Sequence, residues 1–200
     1  MQSDLYDRYQ GLIFDMDGTL IDTMPAHLEA WQQTAKQFGF PFDQAWLHSM
    51  GGMPSFKIAT EINRTYQLQL DEQQVSLFKM NAFIDQDNHG SHKVQTTAVL
   101  EFYLGKKKLA VGTGSQRESA LRLLKENQLL DKLDAVVTAT DVENHKPNPD
   151  TFLAAARLLQ LQPEHCLVFE DTPLGLQAAH AAGMDCMMVE GDELVFYPKP

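Results

Sequence analysis

The stretch GLIFDMDGT, residues 11–19, decides the fold class of this chain. It begins with a short continuous apolar run, residues 11–14, which is followed by Asp15 and Asp17. A continuous run of this length is typical of a strand that is covered on both faces, as in a parallel sheet. Because ligands of open α/β sheets bind at the carboxyl ends of the strands, two carboxylates at this position indicate a functional site.

Four more apolar runs of the same kind follow along the chain, at residues 109–112, 135–137, 167–169 and 186–189. Helical patterns lie between them. Ser115 and Glu118 have the spacing of a capping box, which predicts a helix that ends near residue 126. Asn148 and Thr172, each followed by a proline, indicate two further helix starts, and Gly183 indicates a helix end. Strands that alternate with helices predict a doubly wound, Rossmann-like α/β core with a parallel sheet.

One segment interrupts this alternation. Residues 24–87 contain no strand pattern, but they contain three helical patterns, at residues 25–39, 56–66 and 71–84. Pro25 and Gly39 supply the start and stop signals of the first helix. We therefore predict an inserted α-helical domain at residues 24–87. The α/β core would consist of residues 1–23 and 88–200.

Charge and composition restrict the function. The 200-residue chain has a net charge of −11, and 44% of its residues are hydrophobic, which is enough for a buried core. Nucleic-acid binders usually present a basic face, so the acidic balance argues against a nucleic-acid partner. No apolar run approaches the roughly 18 residues of a membrane span. The N-terminal stretch MQSDLYDR lacks the basic and apolar regions of a signal peptide.

The two cysteines, Cys166 and Cys186, lie in separate apolar runs. This arrangement favours buried thiols over a disulfide. With the missing signal peptide, it predicts a cytoplasmic protein. The sequence shows no apolar stripe of the kind that forms an oligomer interface, so we expect a monomer.

Polar groups also follow the other predicted strands. Thr113 and Gly114 come after the second run, Lys146 comes a few residues after the third, and Glu170 and Asp171 come directly after the fourth. Carboxylates gathered at one edge of a sheet are costly unless a cation neutralises them. Mg²⁺ prefers a few carboxylates together with water and phosphate, so we expect a magnesium site. An alternative is that these acids only cap turns and helix starts. Capping alone explains one acidic pair at the end of a strand more easily than it explains two.

The same strand ends can bind phosphate. Thr113 and Gly114 precede a predicted helix start, where a hydroxyl, backbone N–H groups and the helix dipole can hold phosphate oxygens. Lys146 can offset the charge of a phosphoryl group. Either feature alone is weak, because many turns and loops contain such residues. Together with the acidic pairs, they predict a site for a dianionic phosphate and a hard cation.

These motifs together resemble those of the haloacid dehalogenase-like hydrolase superfamily. The helical insertion is similar to that of its β-phosphoglucomutase-like and sugar-phosphate phosphatase subgroup. The matching pieces occur in the family's order and span almost the whole chain. They are Asp15-x-Asp17-Gly18-Thr19, Thr113, Lys146-Pro147 and Glu170-Asp171.

The resemblance implies a role for each acidic residue. Asp15 would attack phosphorus and form an aspartyl phosphate. Asp17 would first protonate the leaving group and would then deprotonate the attacking water. The side chains of Asp15 and Asp171 and the backbone carbonyl of Asp17 would hold Mg²⁺, with Glu170 beside them.

The resemblance also implies the contacts of the phosphoryl group. Thr113 and Lys146 would bind it through their side chains, and Met16 and Gly114 would bind it through their backbone N–H groups. The peptide bond between Lys146 and Pro147 would be cis.

In this family the insertion is a mobile cap that closes over the site and contacts the substrate. The resemblance places His27, Lys79 and the specificity loop at residues 51–55, including Gly52 and Ser55, near the substrate. For His27, a role in stabilising the cap is an open alternative. For Lys79, the alternative is a solvated surface lysine.

The cap loop also bears on the reaction. β-Phosphoglucomutases carry an arginine there that can clamp a second phosphate, whereas the nearest positions here are Pro54, Ser55 and Phe56. Without this clamp, water is the favoured acceptor. We therefore predict a magnesium-dependent phosphoric monoester hydrolase that acts on small phosphorylated metabolites, in particular sugar phosphates such as fructose 1-phosphate.

Two other functions are compatible with parts of this pattern. The first alternative is a β-phosphoglucomutase, which is an intramolecular phosphotransferase. The second is a phospho-acceptor signalling domain of the receiver type. The second is disfavoured because such domains are shorter and lack a helical insertion after the first strand.

Overall fold

The computed structural model describes residues 3–200 and contains one six-stranded sheet. Its strands are β1 (Gly11–Phe14), β2 (Lys108–Gly112), β3 (Ala135–Val137), β4 (Cys166–Glu170), β5 (Asp185–Glu190) and β6 (Glu193–Tyr197). Their order across the sheet is β3-β2-β1-β4-β5-β6. Strands β1 to β5 are parallel, and β6 is antiparallel to β5. The five predicted strands and the doubly wound α/β fold are confirmed.

Helices lie on both faces of the sheet and also form the insertion. Within residues 3–200 they are α1 (Ser3–Tyr6), α2 (Met24–Phe38), α3 (Gln44–Ser49), α4 (Ser55–Tyr66), α5 (Glu72–Ile84), α6 (Val94–Tyr103), α7 (Arg117–Glu126), α8 (Asp150–Leu158) and α9 (Pro173–Ala181). On β1, Leu12 and Phe14 pack into one buried cluster, which includes Leu123 of α7. Ile13 packs into the other cluster, which includes Phe152 of α8. This alternation explains why the run is continuously apolar.

The predicted insertion is helical in the structure. Helices α2 to α5 share a small core of their own, which includes Trp31, Ile62 and Val75. Gly39 ends α2 with a φ of 76°, as its stop signal predicted. The short helix α3 was not predicted. Its N-cap is Asp43, whose side chain accepts a hydrogen bond from the backbone N–H of Trp46.

Two of the predicted helix starts are wrong in detail. Helix α7 begins after Gln116 without a side-chain cap, so Ser115 and Glu118 form no capping box. The Ser115 hydroxyl instead donates to Asp17 at 2.7 Å. Helix α8 begins after Pro149, and Asn148 does not cap it.

The third helix start is confirmed. The Thr172 side chain accepts a hydrogen bond from the backbone N–H of Gly175, as an N-cap does. Both cysteines are buried and unpaired, which confirms the prediction of buried thiols. Over the described residues, no helix is long and apolar enough to cross a membrane. Residues 1 and 2, which belong to the stretch used to argue against a signal peptide, lie outside the described residues.

Candidate active site

Asp15 lies at the tip of β1, at the carboxyl edge of the sheet. Its backbone N–H donates to the carbonyl of Phe169 at 2.8 Å, which continues the pairing with β4. Its carboxylate Oδ1 is 2.5 Å from Nζ of Lys146, and the same ammonium is 2.6 Å from Oε1 of Glu170. All three side chains are almost completely buried. The sequence-predicted lysine and two of the predicted acids are thus brought together.

The neighbouring carboxylates stabilise the protonated form of Lys146. Burial alone would lower the pKa of its ammonium group, but the carboxylates of Asp15 and Glu170 outweigh burial and raise that pKa above its usual range. The peptide bond between Lys146 and Pro147 is cis, as the resemblance implied. Lys146 therefore stands as a fixed positive charge beside the carboxylate of Asp15.

Glu170 and Asp171 are positioned by the turn after β4. Oε2 of Glu170 accepts hydrogen bonds from the backbone N–H groups of Asp171 and Thr172 and from the Thr172 hydroxyl, at 2.7 to 2.9 Å. A Cβ atom at Gly175 would lie 1.8 Å from the Glu170 carboxyl carbon, so only glycine leaves room for this carboxylate. Asp171 accepts a hydrogen bond of 3.2 Å from the Thr19 hydroxyl.

The acidic cluster has the composition of a cation site. Asp15, Glu170 and Asp171 each offer a carboxylate oxygen, and these oxygens lie within 4.8 Å of one another. Burial and the neighbouring carboxylates raise the pKa of Asp15 well above its usual range, although Lys146 acts in the opposite direction. Burial and the charge of Glu170 raise the pKa of Asp171 to about 7. When all three carboxylates are ionised beside one ammonium they leave excess negative charge, and an all-oxygen donor set fits a hard divalent cation.

Asp17 points away from this cluster. Its Oδ1 accepts from the Thr23 hydroxyl at 2.7 Å and lies 3.1 Å from Nε2 of His27. Its Oδ2 accepts from Ser115 at 2.7 Å and from Thr113 at 3.3 Å. Burial would raise the pKa of Asp17, but the hydrogen bonds to the ionised carboxylate outweigh burial and hold that pKa far below its usual range.

His27 connects Asp17 to Lys79. Nζ of Lys79 lies 2.6 Å from Nδ1 of His27. An ammonium group can only donate, so Nδ1 accepts and Nε2 carries the proton that is donated to Asp17. Burial, together with the charge of Lys79, lowers the pKa of His27, which favours this neutral ring. Burial also lowers the pKa of Lys79 to about 8. Lys79 is almost completely buried, so it is not a solvated surface lysine.

The predicted phosphate loop, which contains Thr113 and Gly114, lies beside the hydrogen-bonded residues Asp17, His27 and Lys79. The Thr113 hydroxyl accepts a hydrogen bond from the backbone N–H of Ser115 and donates to Asp17. A Cβ atom at Gly114 would lie 2.1 Å from the carbonyl oxygen of Gly52, so the cap loop contacts this loop directly. The Met16 side chain is buried in the core, which leaves its backbone as the part nearest the site.

A cavity of about 80 Å³ lies between the helical insertion and the sheet edge. Asp15, Asp17 and Gly114 line it on the core side. All four sequence-predicted cap residues line it on the opposite side, and they are His27, Gly52, Ser55 and Lys79. The lining of this cavity does not include the other sequence-predicted core residues, which are Met16, Thr113, Lys146, Glu170 and Asp171. The described residues that line it include no arginine.

Sequence reasoning missed three hydroxyl groups that position the acids. They belong to Thr19, Thr23 and Ser115, which bind Asp171 or Asp17. Thr19 was quoted in the first motif without a role. Thr23 carried no separate signal, and the spacing of Ser115 indicated a helix cap instead, because a threonine or a serine in a turn normally caps the local backbone.

The fold and this constellation of residues define a class of hydrolase, and the chain belongs to the haloacid dehalogenase-like hydrolase family. The family profile matches residues 12–189, which includes every site residue described above. The expected family resemblance is thereby confirmed.

Named relatives agree with this assignment, and a solved structure shares the fold. Fructose-1-phosphate phosphatase YqaB of Escherichia coli K12 is 40% identical over 92% of this chain and 98% of its own length. A phosphorylated carbohydrates phosphatase of Thermotoga maritima is 33% identical over 88% and 82%, respectively. A β-phosphoglucomutase structure from Clostridium difficile has a TM-score of 0.81 at 23% identity and covers 92% of this chain and 85% of that chain. The last of these shows the shared fold, and the relatives support the expected class of phosphoric monoester hydrolases.

Proposed function

We propose that this chain is a magnesium-dependent phosphatase that hydrolyses small phosphorylated sugars, such as fructose 1-phosphate, with Asp15 as the nucleophile. The observation that carries the proposal is the buried Asp15 carboxylate, which lies between Lys146 and the acidic cluster at the sheet edge. The named relatives act on phosphorylated sugars, which supports the substrate class.

Mg²⁺ fits the oxygen donors at this edge. The side chains of Asp15 and Asp171 and the backbone carbonyl of Asp17 would hold it, with Glu170 beside them. Bound there, the cation would neutralise charge on the phosphoryl oxygens. Glu170 would also hold Lys146 in place, because both of its carboxylate oxygens accept hydrogen bonds and one of these bonds comes from Lys146.

Lys146 and the phosphate loop would bind the phosphoryl group. The Lys146 ammonium would offset the repulsion between the Asp15 carboxylate and the dianionic phosphoryl group of the substrate. The Thr113 hydroxyl and the N–H groups of Met16 and Gly114 would accommodate the phosphoryl oxygens. Asp15 then attacks phosphorus, the bond to the sugar oxygen breaks, and an aspartyl phosphate forms.

Asp17 would carry the proton in both steps. Its hydrogen bonds favour the ionised form, which suits the base that deprotonates water. For the first step Asp17 must be protonated. A dianionic phosphate nearby raises the pKa of a carboxyl group, and substrate competes for the donors on Thr113 and Ser115. Substrate binding therefore prepares Asp17 to protonate the leaving oxygen.

Residues 24–87 would act as a cap that closes over the substrate. The cavity between the cap and the core is lined by Asp15 on one side and by four cap residues on the other, which are His27, Gly52, Ser55 and Lys79. The His27–Lys79 pair can contact sugar hydroxyls once substrate displaces its bond to Asp17. The described residues that line the cavity include no arginine that could clamp a second phosphate. This favours water over a sugar phosphate as the acceptor.

A phosphate-release screen over phosphorylated sugars and nucleotides, with and without Mg²⁺, tests this function. We expect release from hexose phosphates, and from fructose 1-phosphate in particular, only when Mg²⁺ is present. The alternative, a β-phosphoglucomutase, predicts interconversion of hexose phosphates with a bisphosphate primer and no release of phosphate. That result would refute the proposed function.

A further inference from the structure

A cap residue contacts the core beside the active site but takes no part in the chemistry described above. Phe56 lies in the first turn of α4, directly after the predicted specificity loop. Its ring centroid is 5.9 Å from the imidazole of His145, and the two rings are inclined by 81°. This edge-on arrangement is the favourable one for aromatic rings, and it contributes beyond the area that the rings bury.

His145 is fixed to the loop that carries the phosphate-binding lysine. Its Nε2–H donates to the carbonyl of Ala139 at 3.0 Å, which leaves Nδ1 as the acceptor nitrogen. Its own carbonyl accepts hydrogen bonds from the backbone and the side chain of Asn148, both at 3.0 Å. The next residue is Lys146, whose ammonium contacts Asp15. Contact with the His145 ring is therefore contact with the Lys146 loop.

Nδ1 of His145 is buried and has no hydrogen-bond partner among the residues that the structure describes. Burial of an unsatisfied acceptor is costly. Burial lowers the pKa of His145, although the hydrogen bond to Ala139 acts in the opposite direction. The aromatic contact favours closure by a modest amount, which suits a cap that must reopen in each cycle.

From this geometry we propose that Phe56 and His145 are positioning residues that form the closure contact of the enzyme. Their contact holds the first turn of α4, and with it the cap loop, against the loop of Lys146. The proposal rests on the proposed function, because the cap must close over a substrate for the contact to affect turnover.

Hydrogen exchange in the free protein tests the contact without reference to activity. In His145→Ala, amides of residues 51–58 should exchange faster than in the unaltered protein, by about 2- to 12-fold, which is the range expected for an aromatic pair. In Phe56→Ala, residues 139–148 should show the same change. Phe38→Ala is the matched control, since Phe38 makes an edge-on contact with Phe78 at 5.6 Å within the cap. Unchanged exchange across the contact would overturn the proposal.

A double-mutant cycle on phosphate release tests its effect on turnover. Phe56→Ala and His145→Ala should each lower kcat/KM, and the double variant should lose less than the product of the two losses, by a factor of about 2 to 12. Phe56→Tyr should restore most of the activity, and Phe38→Ala should stay within about twofold of the unaltered protein. Independent, fully multiplicative losses would overturn the proposal. If no variant and no unaltered protein releases phosphate, the proposed function fails, while hydrogen exchange still decides whether the contact forms.

Discussion

The hydroxyl of Ser115 donates a 2.7 Å hydrogen bond to Oδ2 of Asp17, across the gap between the tips of β1 and β2. This bond stabilises the ionised form of Asp17. In Ser115→Ala, the pKa of Asp17 should therefore rise, and the acidic limb of the pH–rate profile should move to higher pH. Hydrogen bonds to charged groups are worth about 1.5–3 kcal/mol, so we expect the acidic limb to move by about one to two pH units.

The matched control for this change is Ser119→Ala. Ser119 also lines the cavity from α7, but no hydrogen bond joins it to Asp17 in the described structure. The control should keep the profile of the unaltered protein. If Ser115→Ala keeps that profile too, the role assigned to the Ser115 hydroxyl is wrong.

Metal binding should depend on Asp171. Removing divalent cations with a chelator should abolish phosphate release, and adding Mg²⁺ should restore it. Because a ligand that binds only the folded state stabilises it, Mg²⁺ should also raise the Tm of the unaltered protein. Asp171→Asn should lose this shift, and Glu118→Gln, which removes an exposed carboxylate from α7, should retain it. An equal Mg²⁺ shift in all three proteins would place the cation elsewhere.

The buried lysine of the cap makes stability depend on pH. The pKa of Lys79 is lowered by burial from 10.5 in the unfolded chain to about 8 in the folded protein. Between these values the unfolded chain binds more protons, so stability rises with pH over this window. Relative to Lys79→Met, the unaltered protein should gain up to about 3 kcal/mol between pH 8 and 10.5.

Urea unfolding of both proteins at several pH values, without Mg²⁺, measures this difference. Groups away from Lys79 are common to both proteins, so their contributions cancel, and the lowered pKa of His27, which contacts Lys79, lies below the window from pH 8 to 10.5. A stability difference that is independent of pH above 7 would show that Lys79 keeps its ordinary pKa and is not buried beside His27.

The close approach of the cap loop should require glycine at position 114. A methyl group in Gly114→Ala would lie 2.1 Å from the carbonyl oxygen of Gly52, which is backbone and cannot rotate away. The cap should then close imperfectly. A displacement of about 1 Å at an active site can cost about 10²-fold, so we expect kcat/KM to fall by up to this factor. Because the clash is with the cap alone, the Tm should change little. Full activity in this variant would show that the loops do not meet during turnover.

The parallel core could be predicted from the sequence because each of its strands is buried on both faces. Such strands are continuously apolar, and their polar ends stand out. Strand β6 escaped prediction because its residues are only partly buried and it returns antiparallel through Gly191, whose φ is 63°. Helix α3 was missed because its six residues are too short for a helical period to appear.

The acids and the lysine could be predicted because few roles exist for such groups at strand tips. The contacts between them could not. Ser115 has the spacing of a helix cap, and only the three-dimensional arrangement shows that its hydroxyl is bound to Asp17. Similarly, the spacing of His27 and Lys79 along the chain does not reveal that they form one hydrogen-bonded pair. Interactions between distant segments depend on how the cap packs on the core.

Trapping the phosphoryl group on Asp15 tests whether this residue is the nucleophile. Asp17→Asn should be treated with Mg²⁺ and an acyl phosphate, whose leaving group needs no proton, and then quenched in acid. Without its base, the variant should hydrolyse the intermediate about 10² to 10⁴ times more slowly. Peptide mass spectrometry should then find one phosphoryl group on Asp15, and the Asp15→Asn, Asp17→Asn double variant should carry none. A phosphoryl group on another residue, or phosphate release at the normal rate by Asp15→Asn, would show that Asp15 is not the nucleophile.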